Sequence, residues 1–200
     1  MVCWEGDWVT FVCLMKMLTW DVRGLGRREK RRKIKKIIKE NELDIVLMQE
    51  TKKEVITEMF VTSICPDKNF GYMEVGADGS SGGLLCIWKK KSFELKEACC
   101  NKNFVVMTGT IQSNFLCTLV NVYAPNDVGD RRVCWESLLK LKGEFGYPWC
   151  IGGDFNEIRN LRERQGCARR YRGMREFNEF IHRLEFVDIP LLGRRFTGLM

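Results

Sequence analysis

The sequence predicts a mixed α/β domain with many strands. Short apolar runs alternate with polar amphipathic segments along almost the whole chain, the pattern of strands and helices packed in layers. Hydrophobic residues make up 45% and charged residues 30%, a globular balance that excludes a disordered or fibrous chain. Two hundred residues can bury ~70% of the surface exposed by the unfolded chain. No repeat, low-complexity tract or Pro/Gly-rich linker divides them.

Residues 1–16 read as an irregular N-terminal extension and 17–200 as the domain. Residues 17–22 are strand-like. Residues 27–40 are helical, with Ile34, Ile37 and Ile38 on one face. Residues 44–48 form a short apolar run after a turn. Residues 82–88, 104–111 and 115–123 are rich in Val, Leu and Phe and read as strands. Residues 133–141 are helical and 149–152 a short buried strand. Residues 171–186 read as a helix, with Met174, Phe177, Ile181 and Leu184 on one stripe.

Composition narrows the chemistry. The single histidine, His182, excludes multi-histidine metal sites. It lies off the apolar stripe of its helix, in line with Asn178 and Glu185, and reads as a solvated residue. Ten cysteines include no C-x-x-C pair. Several sit in apolar runs, so reduced, buried thiols are expected. Trp88, Trp135 and Trp149 lie in apolar runs and read as core. No apolar stretch approaches the ~18 residues of a membrane span. The first residues carry Glu5 and Asp7 without a clean apolar block. An intracellular protein of nucleus or cytoplasm, not secreted, is therefore expected, with no membrane partner and no defined protein partner.

Four strand ends carry polar residues directly after an apolar run: Asp21 and Arg23 before a glycine turn, Gln49 and Glu50, Asn121 and Tyr123 before a proline, and Asp154 and Asn156 after two glycines. Polar side chains where loops leave a rigid sheet are the usual site of function in α/β domains. Carboxylates with Asn at convergent strand ends suit a hard cation such as Mg2+, which keeps waters for phosphate oxygens. Asn and Tyr are neutral donors that can orient a phosphate without repelling it. Singly, each pattern is also what a strand cap or turn looks like.

The ordered set Trp20-Asp-Val-Arg-Gly-Leu-Gly, Gln49-Glu-Thr, Asn121-Val-Tyr-Ala-Pro and Gly153-Asp-Phe-Asn resembles the successive motifs of the endonuclease/exonuclease/phosphatase superfamily. Arg23-Gly-Leu-Gly with the basic helix behind it, and Asp188-Ile-Pro-Leu-Leu-Gly-Arg-Arg-Phe-Thr, are similar to the endonuclease domain of non-LTR (LINE-type) retrotransposon polyproteins. The resemblance implies a four-layer αββα sandwich of the DNase I-like type and Mg2+-dependent (or Mn2+-dependent) cleavage of phosphodiester bonds in DNA. It implies Glu50 as the metal ligand, Asp154 as the base that deprotonates water, Asn156 and Tyr123 as groups on the phosphate, and Gln49 and Asn121 as supports of the site.

Two departures from that pattern stand out. Asp21 replaces the family's Asn, adding negative charge that should repel substrate unless a second cation enters. The chain stops at Phe196-Thr-Gly-Leu-Met, before the family's Asp and its Ser-Asp-His. The resemblance thus implies a C-terminally truncated fragment with its second sheet incomplete and little or no catalysis, or a catalytically dead nucleic-acid-binding remnant. Phe155, Ile158, Phe177, Ile181 and Phe186 would then be exposed and favour self-association.

Arg27–Lys36 contains eight Lys or Arg and 159–175 seven Arg. Arg27, Arg28, Arg31, Arg32, Lys33, Arg169 and Arg170, with Arg23, are candidates for contact with the DNA backbone. A solvated helix face explains the first run equally well, and a nuclear address is a further reading.

Overall fold

The computed structural model describes residues 2–4, 15–79, 81–111, 114–163 and 171–188. The strands are β1 (Val2–Trp4), β2 (Met17–Asp21), β3 (Ile45–Gln49), β4 (Phe70–Val75), β5 (Leu84–Lys89), β6 (Phe93–Asn101), β7 (Phe104–Ile111), β8 (Phe115–Tyr123), β9 (Trp149–Asp154) and β10 (Phe186–Asp188). The helices are α1 (Arg28–Glu40), α2 (Glu58–Thr62), α3 (Val128–Glu144) and α4 (Arg172–Arg183). One sheet runs β2-β3-β5-β4 and the other β10-β1-β9-β8-β7-β6. The latter, expected to be incomplete, carries six strands because β1 and β10 extend it beyond β9.

Strand alternation sorts the apolar side chains into three cores. Val46, Met48, Leu85 and Ile87 pack outward against Ile34 and Ile38 of α1 and Val61 of α2. Ile45, Leu47 and Cys86 face Val105, Met107, Leu119 and Cys150 of the other sheet. Val106, Val120, Val122 and Ile151 pack outward against Trp135 and Leu138 of α3 and Phe177, Phe180 and Ile181 of α4. The layers are thus helix, sheet, sheet, helix, the αββα sandwich that the motifs imply. Trp88, Trp135 and Trp149 are all buried. Cys65, Cys86, Cys99, Cys100, Cys117, Cys134 and Cys150 are free thiols.

The structure departs from the sequence reading in several places. Val2–Trp4 is no irregular extension: it pairs antiparallel with both β9 and β10. A three-residue strand is too short to show a period in the sequence. Residues 5–14 lie outside the described residues. β4, β6 and α2 carry no clear apolar pattern, because β4 and β6 are edge strands with half-exposed or exposed faces. The helix expected over 171–186 stops at Arg183; Glu185 adopts φ 54° and Phe186 enters β10. Phe177, Ile181 and Phe186 are buried and Phe155 and Ile158 half-buried. Phe177, Ile181 and Phe186 belong to the core that α3 and α4 form on this sheet, with Phe155 packed against it, so these four do not make the exposed apolar face expected. No described helix is long and apolar enough to cross a membrane.

Candidate active site

β2 and β3 run parallel, as do β8 and β9. The pairs end level with one another: Asp21 lies opposite Gln49, and Tyr123 opposite Asp154. Met17, Ile45, Leu119 and Cys150 belong to the core between the sheets. The two-residue period carries Asp21, Gln49, Tyr123 and Asp154 onto that same inner face, at the carboxyl ends of the strands. The loops beyond are stitched together: Val22 N–H donates to Gln49 O (2.9 Å), Gly24 N–H to Glu50 O (2.7 Å), and Ala124 N–H to Asp154 O (2.8 Å).

A buried amide pair joins the sheets beneath the site. Gln49 Nε2 donates to Asn121 Oδ1 (2.5 Å) and Thr19 Oγ1 (3.1 Å). Asn121 Nδ2 donates to Met48 O (3.2 Å). Asn121 is 0% exposed. Its amide is spent inside the fold, as expected of a supporting residue, and leaves Tyr123 as the donor of this strand end.

The carboxyl groups are held apart in character. Burial pushes the Asp154 carboxyl above its ordinary value, and Asp21 nearby pushes the same way, while Arg23 and the Asn156 N–H oppose. That suits a group that must take up a proton. Burial also raises the Tyr123 hydroxyl, and Glu50, Asp154 and Asp21 add to the shift. Burial and the three carboxylates thus both favour the protonated phenol, which can donate. Asp154 Oδ1 accepts from Asn156 N–H (3.0 Å), and Asn156 Nδ2 donates to Ala124 O (2.6 Å).

Asp21 does not stand as a bare charge. Arg23 Nε lies 3.2 Å from its Oδ2, and Arg23 N–H donates to its Oδ1 (3.1 Å). The repulsion expected from this carboxylate is offset in part by a cation two residues away. Lys52 Nζ lies 3.3 Å from Glu50 Oε1, a cation stationed where a metal would bind. Among the described residues no three His, Cys, Asp or Glu form a metal-binding group. One carboxylate, with waters and a phosphate, is nevertheless a normal Mg2+ environment, and Glu50 already attracts positive charge, so the residues fit such an ion.

Backbone strain marks the same place. Arg23, Glu50, Lys52 and Asn156 all have φ between 45° and 55°, a region costly for non-glycine residues. Gly153 has φ 151°, and a Cβ there would sit 1.9 Å from Val122 O. The second glycine before Asp154 is required by β8.

The basic candidates divide. Arg27, Arg28, Arg32 and Lys33 are exposed. Arg31 Nη1 donates to Leu25 O (2.8 Å) and Gly26 O (2.7 Å), and its guanidinium lies 5.1 Å from the Phe60 ring centroid. Its placement among DNA contacts rested on the charge run alone, and its charge is engaged within the fold. Arg169 and Arg170 lie outside the described residues. His182 is exposed and stands eleven residues along α4 from Tyr171, about 16 Å at 1.5 Å per residue. Sequence reasoning missed Lys52, although it follows Glu50 closely. It also missed the Arg131–Glu157 pair, whose members lie 26 residues apart with no local signal.

Fold and strand ends together define an αββα sandwich with a polar candidate site at the carboxyl ends of its central strands. The profile of the Endonuclease/Exonuclease/phosphatase family matches residues 18–197, and the chain belongs to that family. No curated protein sequence matches the chain. Among solved structures, an AP endonuclease from Archaeoglobus fulgidus is 16% identical with a TM-score of 0.65, covering 84% of this chain and 70% of that one. The endonuclease domain of TRAS1, a telomere-specific non-LTR retrotransposon, is 13% identical with a TM-score of 0.63, covering 85% and 70%. A humanized D. rerio TDP2 is 18% identical with a TM-score of 0.54, covering 71% of this chain and 62% of that one. The chain thus spans about two thirds of the length of these structures.

Proposed function

We propose that the chain is a divalent-cation-dependent phosphodiester hydrolase acting on DNA. The carrying observation is the register that sets Asp21 opposite Gln49 and Tyr123 opposite Asp154 at the carboxyl ends of two parallel strand pairs, with Glu50 next in chain and the loops beyond joined by hydrogen bonds. Glu50 would hold Mg2+ or Mn2+, which supplies charge neutralisation at a phosphate oxygen. Asp154 takes the proton of the attacking water, its buried carboxyl favouring the protonated product. Tyr123 donates its hydroxyl to the phosphate. One N–H of Asn156 is tied to Ala124 O and the other remains to orient a phosphate oxygen. Arg27, Arg28, Arg32 and Lys33 track the DNA backbone from α1, whose N-terminus follows directly on the loop after Asp21.

A second reading, a nucleic-acid-binding remnant without turnover, is favoured by Asp21: its negative charge beside Asp154 is only part-offset by Arg23. Nicking of supercoiled plasmid separates the two. Weak, Mg2+-dependent nicking lost in Asp154→Ala supports the hydrolase. Salt-sensitive DNA binding without nicking supports the remnant. Absence of both overturns each.

A further inference from the structure

We propose that Arg131 and Glu157 are positioning residues of this site: a buried ion pair that sets the stance of Tyr123, Asp154 and Asn156. The inference rests on the hydrolase reading for its kinetic consequence and on geometry for the rest. Arg131 Nη2 lies 3.1 Å from Glu157 Oε2, with side chains only 8% and 1% exposed. Arg131 Nη1 donates to Pro125 O (3.0 Å) and Asn126 O (2.6 Å), the carbonyls two and three residues beyond Tyr123. Glu157 lies three residues beyond Asp154. Its Oε1 accepts from Ile158 N–H (3.0 Å) and from the Tyr171 hydroxyl. Segments 125–126, 157–158 and the start of α4 therefore meet on one pair of charges. Even Gly173 is shaped by it: a Cβ there would lie 2.1 Å from Glu157 Oε2.

Stability alone does not account for the pair. Removing two charges from water costs about as much as their attraction returns, and apolar residues of similar volume often do as well. Apolar residues cannot, however, grip two successive carbonyls on one loop while fixing the other. Those loops carry the catalytic groups, joined by Ala124 N–H to Asp154 O and Asn156 Nδ2 to Ala124 O. The pair holds both loops at one height above the sheet.

The test is the double variant Arg131→Met/Glu157→Leu, which removes both charges at similar volume. It should fold with a melting temperature near that of the wild type. Amide exchange at Ala124 should rise roughly tenfold, a local opening, while Val120 in the middle of β8 stays unchanged. Nicking kcat should fall by on the order of 100-fold with KM for plasmid unchanged, the scale of a small misplacement. If the double variant fails to fold, Arg131→Lys, which keeps the charge and loses the fork, reads the same exchange. Wild-type exchange at Ala124 in a folded variant would overturn the proposal. Should the wild type not nick at all, the hydrolase reading falls, and the exchange result alone decides the positioning role.

Discussion

Burial and the nearby Asp21 hold the Asp154 carboxyl above its ordinary value. Between the ordinary value and the raised one, the folded chain keeps a proton that the unfolded chain has released. The stability linked to this group is therefore full below the ordinary value and lost as pH rises through the raised one. Asp154→Asn should raise the melting temperature at pH 7, with the gain shrinking toward pH 4, while any nicking is lost; thermal melts across that range check it. A gain that grew toward acid would mean the carboxyl is not raised. Asn121 makes the opposite case. Asn121→Ala removes the Asn121 Oδ1 acceptor from the buried Gln49 amide, leaving Thr19 Oγ1 and Leu47 O, and should cost about 1 kcal/mol, seen as a lower urea midpoint at unchanged m-value.

At the scale of the element, α1 combines two kinds of basic residue. Lys30 Nζ donates to Val22 O (2.7 Å), Lys35 Nζ to Thr62 O (2.9 Å), and Arg31 to Leu25 and Gly26. These close the loop after β2 and tie α1 to α2. Replacing Arg27, Arg28, Arg32 and Lys33 together by Ala should flatten the salt dependence of DNA binding by ~0.9 in log–log slope for each phosphate no longer neutralised, with little change in melting temperature. Arg31→Ala should do the reverse, lowering stability by about 1 kcal/mol and leaving the slope nearly unchanged. Titrations at several salt concentrations, paired with melts, distinguish the two groups. If Arg31→Ala flattened the slope instead, its bonds to the loop carbonyls would not outlast DNA binding.

For the whole molecule, a metal that binds only the folded chain stabilises it by mass action. Mn2+ or Mg2+ at a hundredfold excess over its dissociation constant should add about 2.7 kcal/mol, read as a rise in melting temperature. Glu50→Gln should abolish the rise. Lys52→Met should enlarge it at subsaturating metal, because the ammonium at 3.3 Å competes for the same carboxylate. Thiol chemistry reports on the same global packing. Burial pushes the Cys86, Cys117 and Cys134 thiols up to about 12, whereas Cys100 is exposed. Among these four, iodoacetamide should label Cys100 alone until the chain unfolds.

The sequence by itself determined the layers and the location of the chemistry. A short apolar run that ends in polar residues at Asp21, Glu50, Tyr123 and Asp154 is a local property that each strand writes into its own residues, and the order of the four motifs pointed to the family. Tertiary structure alone decided which polar groups face the solvent and which are consumed. Asn121 and Gln49 are legible in the chain as supports, but that they bond each other as a strut between sheets is not. Arg31 looks like its exposed neighbours and proves to be a loop clasp. Arg23 and Lys52 meet Asp21 and Glu50 through left-handed backbone turns. Val2–Trp4 became a strand only because β9 and β10 offered it partners. Arg131 and Glu157 found each other across two loops. Burial, backbone hand and long-range pairing depend on where distant segments come to lie, and no single stretch of residues encodes that.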